Sequence, residues 1–109
     1  VLNEIASDIN GGIVINEEVL PVRPRVKTVS DILGINPLEV ANEGVVVAVV
    51  SSEICEMLLA DLRKLPLAEK AVKIGTIVED HPKKVVLQTE IGGRRILDFP
   101  RGLLLPRIC

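Results

Sequence analysis

Val72-Lys73-Ile74-Gly75-Thr76-Ile77-Val78, Val85-Val86-Leu87-Gln88-Thr89 and Ile96-Leu97-Asp98-Phe99 carry the signal that decides the fold. In a β-strand successive side chains point to opposite faces, so alternation of bulky residues marks a half-buried strand. Val72, Ile74, Thr76 and Val78 share one face, and Val85, Leu87 and Thr89 share another. In the last run Ile96 and Asp98 lie opposite Leu97 and Phe99. Asp80-His81-Pro82 and Gly92-Gly93 stand between the runs, where turn residues belong. Three successive strands joined by short turns predict an antiparallel meander.

Outward from the meander, the pattern changes. Ser51 or Ser52 caps a helix over 53–64: Glu53 and Glu56 suit the positive end of its dipole, Arg63 and Lys64 the negative end, and Pro66 stops it. Before it, Val45 to Val50 is an apolar run without a polar break, read as a strand covered on both faces and placed at the centre of the sheet. Asn36-Pro37 opens a turn of helix from Leu38 to Ala41, ended by Asn42-Glu43-Gly44. Pro24 suits a first helical position, Val26, Val29, Ile32 and Leu33 recur at helical spacing, and Gly34 fits just past the end, so 23–33 reads as a helix. Leu2, Ile5 and Ile9 form a first helix, Asn10-Gly11-Gly12 a turn, and Ile13-Val14-Ile15 a short strand. Helices in the first half and strands in the second predict an α+β fold, a mixed sheet with helices packed on it. Doubly wound α/β is the less favoured class.

Composition narrows the function classes. The chain has 109 residues, enough for one domain with one core, and one domain is expected over 1–99 with a mobile tail at 100–109. Its 48% hydrophobic content includes one Phe and no Tyr or Trp, so the core is aliphatic. A formal charge of −2 and the lack of a basic patch with stacking aromatics argue against nucleic acid. Val45 to Val50 is far below the roughly 18 residues of a membrane span, and no signal peptide is visible. Two cysteines distant in sequence form no disulfide framework, which fits a reducing, cytoplasmic setting.

Few residues offer chemistry. Gly11-Gly12 and Gly92-Gly93 lack the strand and helix context of phosphate-binding loops and read as turns. His81, alone in a polar turn, reads as a solvated loop histidine, and no metal site is expected. Cys55 shares a helical face with Leu58, Leu59 and Leu62 and reads as a small hydrophobe. Glu43 sits between a helix end and the presumed central strand. A carboxylate there can act as a general base or simply accept backbone hydrogen bonds, and position alone does not decide between them. The tail, Pro100-Arg101-Gly102-Leu103-Leu104-Leu105-Pro106-Arg107-Ile108-Cys109, closes on a thiol. A CaaX signal needs three residues after its cysteine, so prenylation is excluded. Ten extended residues reach about 35 Å, enough to present the thiol to more than one site. A free thiol near pKa ~8.5 is a few per cent ionised at neutral pH, and the α-carboxylate and Arg107 pull it in opposite directions. On these grounds alone, Cys109 is equally a carrier or merely the last residue.

Leu105-Pro106-Arg107-Ile108-Cys109 is similar to the signature that closes proteins of the HypE family. The resemblance runs on through Leu2-Asn3-Glu4-Ile5-Ala6, Pro21-Val22-Arg23-Pro24, Ile32-Leu33-Gly34-Ile35-Asn36-Pro37-Leu38 and Ala41-Asn42-Glu43-Gly44. It implies the C-terminal region of a carbamoyl dehydratase of NiFe-hydrogenase maturation, with a fold like the C-terminal domain of aminoimidazole ribonucleotide synthetase. By the family's chemistry a partner transferase, HypF, places a carbamoyl group on the cysteine matched by Cys109. ATP with Mg2+ then drives its dehydration to a thiocyanate, and cyanide is delivered to iron on a HypC–HypD scaffold. Glu43 matches a glutamate near the reacting tail. The resemblance implies a homodimer, and it implies an ATP-binding domain and an Asp-Pro-Thr-Arg-Gly-Gly motif upstream of the Leu-Asn-Glu-Ile-Ala stretch. Without them the 109 residues are expected not to turn over alone, and exposed apolar surface is expected to favour association. A docking module for maturation partners and a plain ATP-dependent synthetase of the same superfamily are the alternatives.

Overall fold

The computed structural model describes residues 1–98. The expectations for Phe99 at the end of the last strand and for the tail 100–109, Cys109 included, lie outside the described residues. Two compact units are formed, one by residues 1–21 with 48–98 and one by residues 22–47.

The first unit contains helix α1 (Leu2–Asp8), strand β1 (Gly12–Asn16), a 3-10 turn (Glu17–Val19), and strands β2 (Gly75–Val78), β3 (Val85–Gln88) and β4 (Arg94–Leu97). It also contains a second long helix (Ser52–Leu62), which becomes α3 once the helix of the other unit is counted as α2. The sheet order is β2-β1-β3-β4. β1 runs parallel to β3, with Ile13 opposite Val85 and Ile15 opposite Leu87. It runs antiparallel to β2, with Gly12 opposite Val78 and Ile15 opposite Gly75. β3 and β4 form the one sequential hairpin of this sheet, with Leu87 opposite Arg95.

The α+β class and the mixed sheet are as expected, but the meander is not. β1 lies between β2 and β3, so these sequence neighbours never pair. A tight hairpin turn spans one interstrand gap of about 4.8 Å, whereas the connection 79–84 spans two, about 9.6 Å. The inserted strand brings Ile13 and Ile15 against Val85, Val86 and Leu87, all buried, and α1 covers β1 and β3 with Ala6 fully buried. A small side chain at Ala6 lets the helix approach the sheet. Burying each Val, Ile or Leu contributes roughly 1.5–3 kcal/mol, so insertion of β1 outweighs the loss of a local hairpin.

The centre of the sheet was also misplaced. Val45 to Val50 forms no ladder, and Val46 is 90% exposed. An uninterrupted apolar run signals a strand covered on both faces only if neighbours flank it. Val85 to Leu87, flanked by β1 and β4, fills that role instead.

In α3 the Ser51 hydroxyl accepts a hydrogen bond from the Glu53 N–H at 3.3 Å, which satisfies one orphan donor of the first turn. Leu59 is buried and Cys55, Leu58 and Leu62 are half-buried on the same face, consistent with Cys55 as packing. Beyond the helix the Arg63 Nε donates to the Ala71 carbonyl at 3.0 Å and ties down the return towards β2.

The second unit is built on α2 (Pro24–Leu33), followed by a 3-10 turn (Pro37–Glu39) packed against it. Pro24 opens the helix as expected. Gly34 closes it at φ 66°, a left-handed conformation that costs any residue with a Cβ. The Ile35 N–H donates to the Ser30 carbonyl at 2.9 Å and the Gly34 N–H to that of Asp31 at 3.4 Å, the paired bonds of a Schellman cap. Asn36 Oδ1 accepts from the Leu38 N–H at 3.1 Å and starts the short turn.

Candidate functional site

Glu43 follows the 3-10 turn, directly before Gly44, whose φ of 84° redirects the chain. It is exposed, lies in no helix or strand, and among the described residues no hydrogen bond or ion pair engages its carboxylate. The expected strand after it does not form, so Glu43 is presented on a loop rather than at a sheet edge. Such a carboxylate has room to reach an incoming group. Cys109 lies outside the described residues.

Two polar atoms stand out nearer the core. Asn36 Nδ2 is buried without a hydrogen-bond partner, although the other end of its carboxamide caps the 3-10 turn. The Asn-Pro pair signalled the cap, but no sequence feature announces a buried NH2. His81 was expected to be solvated. Instead its ring lies against Gly12, and its Nδ1 is buried with no partner. His81 and Lys83 both adopt positive φ, 39° and 63°. The strain is held by the Lys83 N–H donating to the Gly11 carbonyl at 3.0 Å and the Lys84 N–H to that of His81 at 3.1 Å. The connection must cross over β1, and this is the turn that lets it do so.

These observations bear on a nucleotide. Gly12 is the first residue of β1, with His81 in the space before its Cα, and Gly92-Gly93 is the β3–β4 turn, closed by the Thr89 N–H donating to Gly93 at 2.8 Å. Neither pair lies between a strand and a following helix, the context of a phosphate-binding loop: Gly11-Gly12 lies between α1 and β1 and Gly92-Gly93 between β3 and β4. Among the described residues, no cluster of three His, Cys, Asp or Glu side chains is placed to hold a metal, and no helix is long and apolar enough to cross a membrane.

The chain belongs to the family of AIR synthase related proteins as their C-terminal domain, whose family model matches residues 1–88. Within that class its likeness is to the C-terminal region of HypE, as the terminal signature implied. Carbamoyl dehydratase HypE of Cupriavidus necator is 43% identical over 108 residues, which are 99% of this chain and 31% of the relative. A hydrogenase maturation protein HypE crystallised in complex with ATP superimposes with TM-score 0.87 and 36% identity, over 99% of this chain and 33% of that one. The HypE of a HypE–HypF complex matches with TM-score 0.84 and 37% identity, over 91% of this chain and 32% of that one. The chain thus spans about a third of the length of the curated relatives it matches.

Proposed function

We propose that these residues are the carrier region of an ATP-dependent carbamoyl dehydratase acting in NiFe-hydrogenase maturation. In this reading 1–99 form the domain and 100–109 an arm whose Cys109 thiol holds the reacting group. The observation that carries the reading is the likeness to HypE over nearly the whole chain, together with the Leu-Pro-Arg-Ile-Cys sequence at 105–109.

The chemistry follows from the bond to be made. A carbamoyl group on Cys109, Cys–S–C(O)NH2, becomes Cys–S–C≡N by loss of water: the oxygen must leave and nitrogen must lose its protons. ATP with Mg2+, bound by the rest of the polypeptide, would supply a phosphoryl group to that oxygen, giving ADP, and the oxygen then leaves as inorganic phosphate, which carries away the second proton. Glu43, exposed on its loop, is the base that takes a proton from nitrogen. Tethering the thiocarbamate on an arm replaces a bimolecular encounter by an intramolecular one. The transferase that loads Cys109 is HypF, in keeping with the HypE–HypF complex. The recipient of cyanide is iron on HypC–HypD, and the whole protein works as a cytoplasmic homodimer.

The test is the delivery of cyanide by the intact protein carrying Cys109→Ser. Loss of delivery is expected. Unchanged delivery overturns the carrier role and leaves a docking module in its place.

A further inference from the structure

The Asn10-Gly11 pair between α1 and β1 takes no part in the proposed chemistry, yet its groups are held very differently. The Gly11 carbonyl accepts from the Lys83 N–H at 3.0 Å, whereas the Gly11 N–H finds no acceptor among the described residues. The Asn10 side chain is exposed, and its carboxamide also lacks a partner among them. A Cβ at residue 11 would stand 2.8 Å from the Val78 carbonyl oxygen and 3.1 Å from the Ile77 side chain, so packing calls for glycine there. The fold thus places a glycine it needs directly after an asparagine it leaves unbound. We propose that Asn10-Gly11 is a site of spontaneous deamidation and isomerisation, which loosens α1 from the sheet as the protein ages.

The reaction is intramolecular, so the nucleophile and the carbon it attacks are tethered at high effective concentration. The Gly11 nitrogen gives up its proton and bonds to Asn10 Cγ. The bond from Cγ to the side-chain nitrogen breaks, and that nitrogen leaves with a proton as ammonia, which closes a succinimide. Water then opens the ring. Addition at Cγ gives aspartate. Addition at the main-chain carbonyl carbon of residue 10 gives isoaspartate, in which the chain runs through Cβ and Cγ. Glycine favours closure because no side chain crowds its nitrogen. The other asparagines are less suited: Asn3, Asn16 and Asn42 precede glutamate, and Asn36 precedes proline, which has no N–H to lose. The Asn16 carboxamide is moreover engaged by the Glu18 N–H at 3.1 Å. Isoaspartate adds one atom to the main chain between Ala6, fully buried in the helix that covers β1 and β3, and Ile13, buried in β1. Either α1 lifts or the register of Ile13 against Ile77 and Val85 shifts. The proposal does not depend on what Cys109 carries.

The experiment incubates the intact protein at mildly alkaline pH and follows the peptide that contains Asn10 by chromatography and mass spectrometry, beside the same protein unfolded in urea. The expected result is the mass change of NH2 replaced by OH, split between an aspartate and an isoaspartate peak, at a rate within about tenfold of that in the unfolded chain. The rate is expected to rise about tenfold for each unit of pH, as the fraction of deprotonated amide nitrogen does. Asn10→Gln is expected to abolish the mass change in that peptide. An Asn10 that stays intact in the folded protein while the unfolded chain deamidates overturns the proposal, as does a mass change that persists in Asn10→Gln. The isoaspartate form, separated from fresh protein, is expected to unfold at lower urea, and coincident midpoints overturn the loosening of α1.

Discussion

The imidazole of His81 fills the space in front of the Gly12 Cα, so that a Cβ at residue 12 would collide with Nδ1 and with the Asp80 carbonyl. This contact pins the strained connection 79–84 over the start of β1, the strand that separates β2 from β3.

Gly12→Ala is therefore expected to destabilise the chain by about 1–3 kcal/mol, the usual cost of forcing volume into a packed site. Urea unfolding checks it. His81→Ala in the same background should recover only part of the loss, because the Asp80 carbonyl remains. Wild-type stability for Gly12→Ala would remove the contact from the account of the fold.

The sheet centre makes a second contrast. Leu87 is 1% exposed between β1 and β4, whereas Val46 is almost fully exposed. Leu87→Ala should cost about 2–5 kcal/mol. Val46→Ala should stay within about 0.5 kcal/mol. Equal losses in a thermal or denaturant titration would restore 45–50 to the core.

At the end of α2, Gly34→Ala places a Cβ in a left-handed residue and should cost roughly 1–2 kcal/mol. The local readout is amide exchange at Ile35, whose N–H donates to the Ser30 carbonyl. Its protection should fall in Gly34→Ala and fall less in Gly34→Asn, since asparagine tolerates this conformation. Unaltered Ile35 exchange contradicts the cap.

Glu43 is exposed, so Glu43→Gln should leave stability within about 0.5 kcal/mol. Any lost rate then reports chemistry. Removal of a general base is expected to slow dehydration about 10²–10⁴-fold while carbamoyl loading of Cys109 continues. Quenched-flow sampling of the loaded protein distinguishes this from a structural role, in which loading and dehydration would decline together or not at all.

Local chemistry was legible in the sequence, and long-range pairing was not. Pro24, Gly34, Asn36 and Ser51 announce their caps because each acts on backbone within a few residues. The Gly92-Gly93 turn and the α3 face around Leu59 follow for the same reason. The placement of β1 does not, since parallel pairing of Ile13 with Val85 joins residues far apart in sequence and leaves no local mark. Val45 to Val50 misled because an apolar run records what a segment can bury, not whether a neighbour exists. His81 misled for a related reason: the half-buried ring has its Nδ1 covered against Gly12, remote in sequence. The AIR synthase likeness was legible as a resemblance, while the roles proposed for Glu43 and Cys109 rest on family motifs, because position in a loop or at the end of the sequence leaves each open between chemistry and a bland role.

The most direct test of the carrier reading is the mass of the Cys109 peptide, followed in time, when the intact protein is given HypF, carbamoyl phosphate and ATP. The reading predicts a carbamoyl adduct on Cys109 that appears first and is then converted, by loss of the mass of water, to a thiocyanate. An unmodified Cys109 in a protein that still supports cyanide delivery would contradict it.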